Sequence, residues 1–127
     1  MANNMKFTAA LSGARSTSSN SGTVSAVPGS KGVHLVLDIT AASGTTPTLD
    51  VKVQRYDGAS SKWVDLPSAA FAQKTSTGTS DLTIYPGIAE TANVSVSDVI
   101  GDEILIVWTI GGTTPSFTFS IGGTWIS

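Results

Sequence analysis

Apolar and polar residues alternate along most of this chain. Leu35, Leu37 and Ile39 recur at every second position, as do Leu49, Val51 and Val53, and later Phe117, Phe119 and Ile121. A period of two places each set on one face of a β-strand. In the second run Asp50, Lys52 and Gln54 take the opposite, watered face. In the first, His34, Val36, Asp38 and Thr40 share the other face, a mixture that suits a sheet half covered by a neighbour. Residues 33–40 and 48–55 therefore predict the two arms of a hairpin across 41–47. Asp57-Gly58, a strong turn pair, predicts a second hairpin leading to Trp63. The rest of the chain is organised around this stretch, 33–63.

Residues 7–11 predict a short first strand and 23–27 another, ended by Pro28-Gly29. From 12 to 30 the composition shifts to Ser, Gly, Asn and Thr, and 15–22 has no apolar residue. The stretch reads as a flexible arm or surface loop, or as an arm that orders against a neighbouring subunit. After Trp63 an extended run stops at Pro67, and 68–74 allows a single helical turn. Residues 81–85 and 93–97 alternate again. Residues 103–110 are apolar on both faces and predict a central strand, with Trp108 a large core contributor. About eight short strands with turn signals at intervals of roughly 8–12 residues predict an all-β fold. The expected form is an antiparallel two-sheet β-sandwich of jelly-roll type, with an immunoglobulin-like sandwich as the alternative. A chain of 127 residues is one domain by length. Within it, 1–30 forms a Ser/Gly-rich N-terminal arm with the first strands, and 31–127 the sandwich body.

One internal echo stands out. Gly44-Thr45-Thr46-Pro47 recurs as Gly112-Thr113-Thr114-Pro115, each copy after an apolar run and before an alternating one. Proline has a fixed φ and no N–H to donate, so it belongs at a strand entrance. The repeat predicts two similar hairpin turns at one end of the molecule.

Composition changes the picture in two ways. Charged residues are 13% of the chain, about half the usual share. Ser and Thr number 35 and Gly 13, so hydroxyls and backbone must supply most of the surface. The net charge of −2, with dispersed lysines, offers no basic patch and speaks against direct nucleic-acid binding. There are no cysteines, which excludes disulfides, thiolate metal sites and cysteine catalysis. Residues 1–6 lack an apolar core behind Lys6, so no cleaved secretory signal is expected. The longest apolar run, 104–108, is too short for a membrane helix, and no membrane partner is expected.

The reactive side chains do not assemble into a site. His34 is the only histidine, and a triad or a metal centre needs companions at defined spacing. Among the acids, Asp102 and Glu103 are adjacent and would point to opposite faces of a strand. Asp98 and Asp102 share a Gly-containing turn but lack the spacing of a calcium loop. Gly111-Gly112 and Gly122-Gly123 have no phosphate-loop context and predict turns or a bulge. The expectation is no catalytic residue, no cofactor, no metal and no enzyme. The segment 56–63 resembles the hairpin of discoidin-like and Asp-box modules, in which an Asp-Gly turn precedes a Trp. Tyr56 and Trp63 would stack on a sugar there if exposed, and otherwise the Trp packs behind its hairpin. Trp125 and Ile126, near the end, pack into the core or into a partner subunit.

The segment 34–54, with its Ile39-Thr40-Ala41-Ala42-Ser43-Gly44-Thr45-Thr46-Pro47-Thr48-Leu49-Asp50-Val51 centre, is similar to small virion structural proteins of tailed bacteriophages, above all head decoration (cement) proteins. The resemblance covers about residues 10–66 and, more weakly, the C-terminal hairpin expected on either side of 111–115. It implies a non-enzymatic virion component, made in the host bacterial cytoplasm. Its implied partners are the major capsid protein and itself, as a homotrimer. Phe7, Leu11 and Arg15 of the arm, with Trp125 and Ile126, are the expected partner contacts. A head or tail fibre component, or a carbohydrate-binding jelly roll using Tyr56 and Trp63, is the alternative.

Overall fold

The alternating runs all become strand, and the longest of them fuse. The computed structural model describes residues 5–127. The first four residues of the expected arm, on which the signal-peptide reading also falls, lie outside the described residues. The elements are β1 (Lys6–Arg15), β2 (Ser19–Asn20), β3 (Val24–Ser25), β4 (Gly32–Asp57), β5 (Lys62–Ala70), β6 (Gly78–Ile84), β7 (Ser95–Val96) and β8 (Glu103–Ile126). No α-helix occurs among the described residues, and the chain is all-β.

Residues 33–40 and 48–55 are not the two arms of a hairpin. They are consecutive halves of β4, which pairs antiparallel with β8 from Gly32 opposite Ile126 to Arg55 opposite Ile104. The first half lies between β8 and β6, the second between β8 and β5. The Gly-Thr-Thr-Pro repeat explains why. φ is +111° at Gly44 and +47° at Thr46, and +113° at Gly112 and +45° at Thr114. A two-residue hairpin turn takes positive φ at adjacent central residues, or at the first of them. Here the two positive values are separated by Thr45 or Thr113, and the strand is deflected instead of reversed. The register slips at this level, between Thr45 and Thr48, where Pro47 has no N–H for the ladder.

The two copies face each other, with Thr45 opposite Thr113. A Cβ on Gly44 would lie 2.7 Å from the Thr114 carbonyl oxygen and 2.8 Å from Pro115 Cα. On Gly112 it would lie 2.7 Å from the Thr46 carbonyl oxygen and 2.9 Å from Pro47 Cα. Thr46 and Thr114 each donate their hydroxyl to the preceding carbonyl at 2.8 Å. A local two-fold axis therefore passes between the segments, and both strands bend at one level.

The bend folds the sheet onto itself. Trp108 and Phe119 sit on the same strand, and eleven extended residues would part them by roughly 36 Å. Their rings instead meet edge to face at 5.4 Å. One arm carries β1, the second half of β8, the first half of β4, β6 and β7. The other carries β2, β3, the first half of β8, the second half of β4 and β5. β7 runs parallel to β6 and the remaining pairs are antiparallel. The inward sets read from the alternation, Leu35-Leu37-Ile39, Leu49-Val51-Val53 and Phe117-Phe119-Ile121, join one core with Ile104, Ile106 and Trp108. No polar or charged residue is buried among the described residues.

Pro67 does not stop β5, and 68–74 makes no helical turn. β5 runs through Pro67 to Ala70, with a bulge between the pairs Gln54–Asp65 and Lys52–Ala70. Ser68 at φ +64° takes up the extra length. Proline is tolerated because β5 is an edge strand.

Candidate functional site

β1 is the outer strand of its arm and pairs with β8 alone. Its seat depends on Gly123, inside β8, where any Cβ would collide with the Phe7 ring. Phe7 lies in that space and stacks on Trp125 with centroids 4.7 Å apart and planes 22° apart. Gly122-Gly123 is thus neither turn nor bulge in β8. It is a gap in the row of side chains that admits a ring from the neighbouring strand. The register then slips twice, between Thr8 and Ala10 and between Ala10 and Gly13. Each slip adds a residue to β1 that β8 does not match. Leu11 falls in the second and is 77% exposed.

Arg15 closes the strand. Its guanidinium donates to the carbonyls of Leu11 at 2.7 Å, Gly13 at 3.0 Å and Phe119 at 2.7 Å. It also lies 4.5 Å from the Phe119 ring centroid and 5.2 Å from that of Trp108. The planar fork suits several acceptors at once, and its weak hydration suits an aromatic face. Partial desolvation holds its pKa below the ordinary arginine value, but the group stays charged at neutral pH. These bonds carry β1 four residues past the expected end at Leu11. Arg15→Gln is expected to lower stability by about 2 kcal/mol, read from urea denaturation. An unchanged midpoint would show that the three bonds add nothing net.

The other candidates are dispersed. Tyr56 and Trp63 are register partners at the end of the β4–β5 hairpin, where the Asp57-Gly58 turn forms as the sequence predicts. Their centroids are 5.0 Å apart and their planes 57° apart, so the rings tilt against each other and make no flat platform. Asp57 accepts from the Ser60 hydroxyl at 2.6 Å and backbone N–H at 3.2 Å, which holds its pKa below the usual carboxylate value. His34 Nε2 meets Asp81 Oδ2 at 3.0 Å on the outer face, with Thr83 and Thr124 as register neighbours. No hydroxyl is hydrogen-bonded to its ring among the described residues. Asp65, on the outer face of the other arm, accepts from Gln54 at 2.8 Å and Lys52 at 3.1 Å, and both lower its pKa.

The turn holding Asp98 and Asp102 already has a cation. Arg55 reaches Asp98 Oδ1 at 3.4 Å and donates to the Val99 carbonyl at 2.7 Å. Its stem lies against Gly101, where a Cβ would stand 3.4 Å from it. Among the described residues no group of three or more His, Asp or Glu side chains gathers as metal ligands.

Of the five expected partner contacts, only Leu11 is strongly exposed. Trp125 is 3% exposed and goes into the chain's own core, covered by Phe7, which is the first of the two placements its sequence position allows. Phe7 is half-buried by the same stack, Arg15 is engaged with β1 and β8, and Ile126 is partly buried at the end of β8, opposite Gly32. Gly123, which makes the seat possible, was missed by sequence reading. The available signal was a Gly-Gly pair with no turn-forming Asn, Asp or Pro beside it. No protein-family model matches the chain, and no curated protein is significantly similar to it.

Proposed function

We propose that this chain is a bacteriophage virion structural protein, a capsid decoration (cement) protein built as a two-sheet antiparallel β-sandwich of jelly-roll type. It is non-enzymatic, is made in the host bacterial cytoplasm and resides in the virion. It binds the outer shell formed by the major capsid protein and associates with itself, as a trimer. The observation that carries the reading is the distribution of chemistry. Most apolar residues go into one core while the reactive side chains are scattered over a hydroxyl-rich surface, and among the described residues the large apolar side chain most strongly presented to solvent is Leu11, on an edge strand. Such a surface works by many weak contacts, which symmetry multiplies on a shell. The folding back of the sheet through Trp108 and Phe119 supports the sandwich form.

Quantitative mass spectrometry of gradient-purified particles tests it. A copy number equal to that of the major shell protein, or a simple fraction of it such as one third, is expected. A few copies per particle would identify a fibre or tail part, and absence from particles would overturn the virion reading.

A further inference from the structure

β1 is an edge strand with one neighbour, β8. One link, residues 16–18, joins it to the following strand in the described chain. Arg15 sits opposite Phe117 and Ser19 opposite Trp108, so this link cuts across the bend that β8 makes with residues 109–116. The link is polar, Ser-Thr-Ser, and no hydrophobic side chain anchors it. A short connection beside a separable strand is the arrangement in which exchange between copies relieves the connection and keeps every other contact. The seat itself is a defined slot, in which the ring of Phe7 fills the space over Gly123 and stacks on Trp125. Between this slot and the link, the strand carries two register slips.

We propose that β1 is exchanged between copies of this chain, the Phe7 of one copy occupying the Gly123–Trp125 slot of its neighbour. A head-to-tail transfer of this kind closes into a ring where the rotation between copies is a whole fraction of a turn, and gives the assembly a mechanical tie that surface contacts lack. The proposal concerns contacts between copies only. It stands or falls apart from the reading of the shell as partner, because the purified chain alone answers it.

The absence of cysteine makes the test clean. Thr8 and Gly122 are register partners, and a Cβ on Gly122 would meet nothing nearer than the Phe7 carbonyl oxygen at 3.7 Å. Paired Cα atoms across antiparallel strands stand about 4.5–5.5 Å apart, within disulfide reach. The double variant Thr8→Cys, Gly122→Cys, oxidised in the native state, is expected to give covalently linked multimers on a denaturing gel that collapse to single chains on reduction. Disulfides confined to single chains would overturn the proposal. If the variant does not fold, light scattering decides between the unaltered chain and one with a five-residue Gly/Ser insert between Ser16 and Thr17. Exchange requires an oligomer in the first and a monomer in the second. A monomeric unaltered chain, or equal masses for both, overturns it.

Discussion

Gly44→Ala and Gly112→Ala are each expected to destabilise the fold by about 3 kcal/mol, and by the same amount within roughly 0.5 kcal/mol. Both glycines have φ near +110°, well outside the left-handed region that alanine tolerates at modest cost. At each, the new Cβ would meet a carbonyl oxygen at 2.7 Å and a proline Cα at 2.8 or 2.9 Å, backbone atoms that cannot rotate aside. Because the two segments press on each other, the double variant should depart from the sum of the singles. Gly58→Ala is the control: it lies in an open turn with nothing within 4 Å of a Cβ, and should change stability by about 0.5 kcal/mol or less. Urea denaturation measures all four. Unequal single effects would show that the bend is not symmetric.

Phe119→Ala is expected to cost about 3–5 kcal/mol, a large part of the roughly 5–15 kcal/mol that holds a domain of this size together. Phe119 is fully buried. Its ring touches Trp108 across the folded sheet at 5.4 Å and lies under the Arg15 guanidinium at 4.5 Å. Its removal opens a cavity where the two arms meet and takes away the surface on which β1 is pinned. The protection of β1 amides against hydrogen exchange should therefore fall with the global stability. Leu11→Ala, on the same strand but solvent-facing, should stay within about 0.5 kcal/mol of the parent. A large loss from Leu11→Ala would mean that its exposed placement is wrong.

The all-β class and the identity of the core were legible in the residues. Period-two alternation states which side chains face inward whatever strand lies alongside, so Leu35, Leu37, Ile39, Leu49, Val51 and Val53 are buried as their spacing implies. The Asp57-Gly58 hairpin was legible for a similar reason, since its turn is made by neighbours in the chain. The candidate site was less so. The edge-strand residues Phe7 and Leu11 could be picked out as apolar positions before a polar stretch, but the Gly-Gly pair signals only an unusual piece of strand, and neither Gly123 nor Trp125 names the ring that covers it. Both depend on a ring arriving from a strand more than a hundred residues away.

Local chemistry by itself determined the faces of the strands and the hydroxyl-rich surface. Pairing was decided by the tertiary structure. A Gly-Thr-Thr-Pro segment read alone is consistent with a hairpin turn, because glycine and proline mark a departure from regular strand without stating whether the chain reverses or bends. In this chain the second copy lies directly across the ribbon, and each copy's glycine leaves room for the other's proline. That mutual fit makes both segments bends. It merges four expected strands into two and brings Trp108 onto Phe119, and no residue pattern within either segment contains the partner on which it depends.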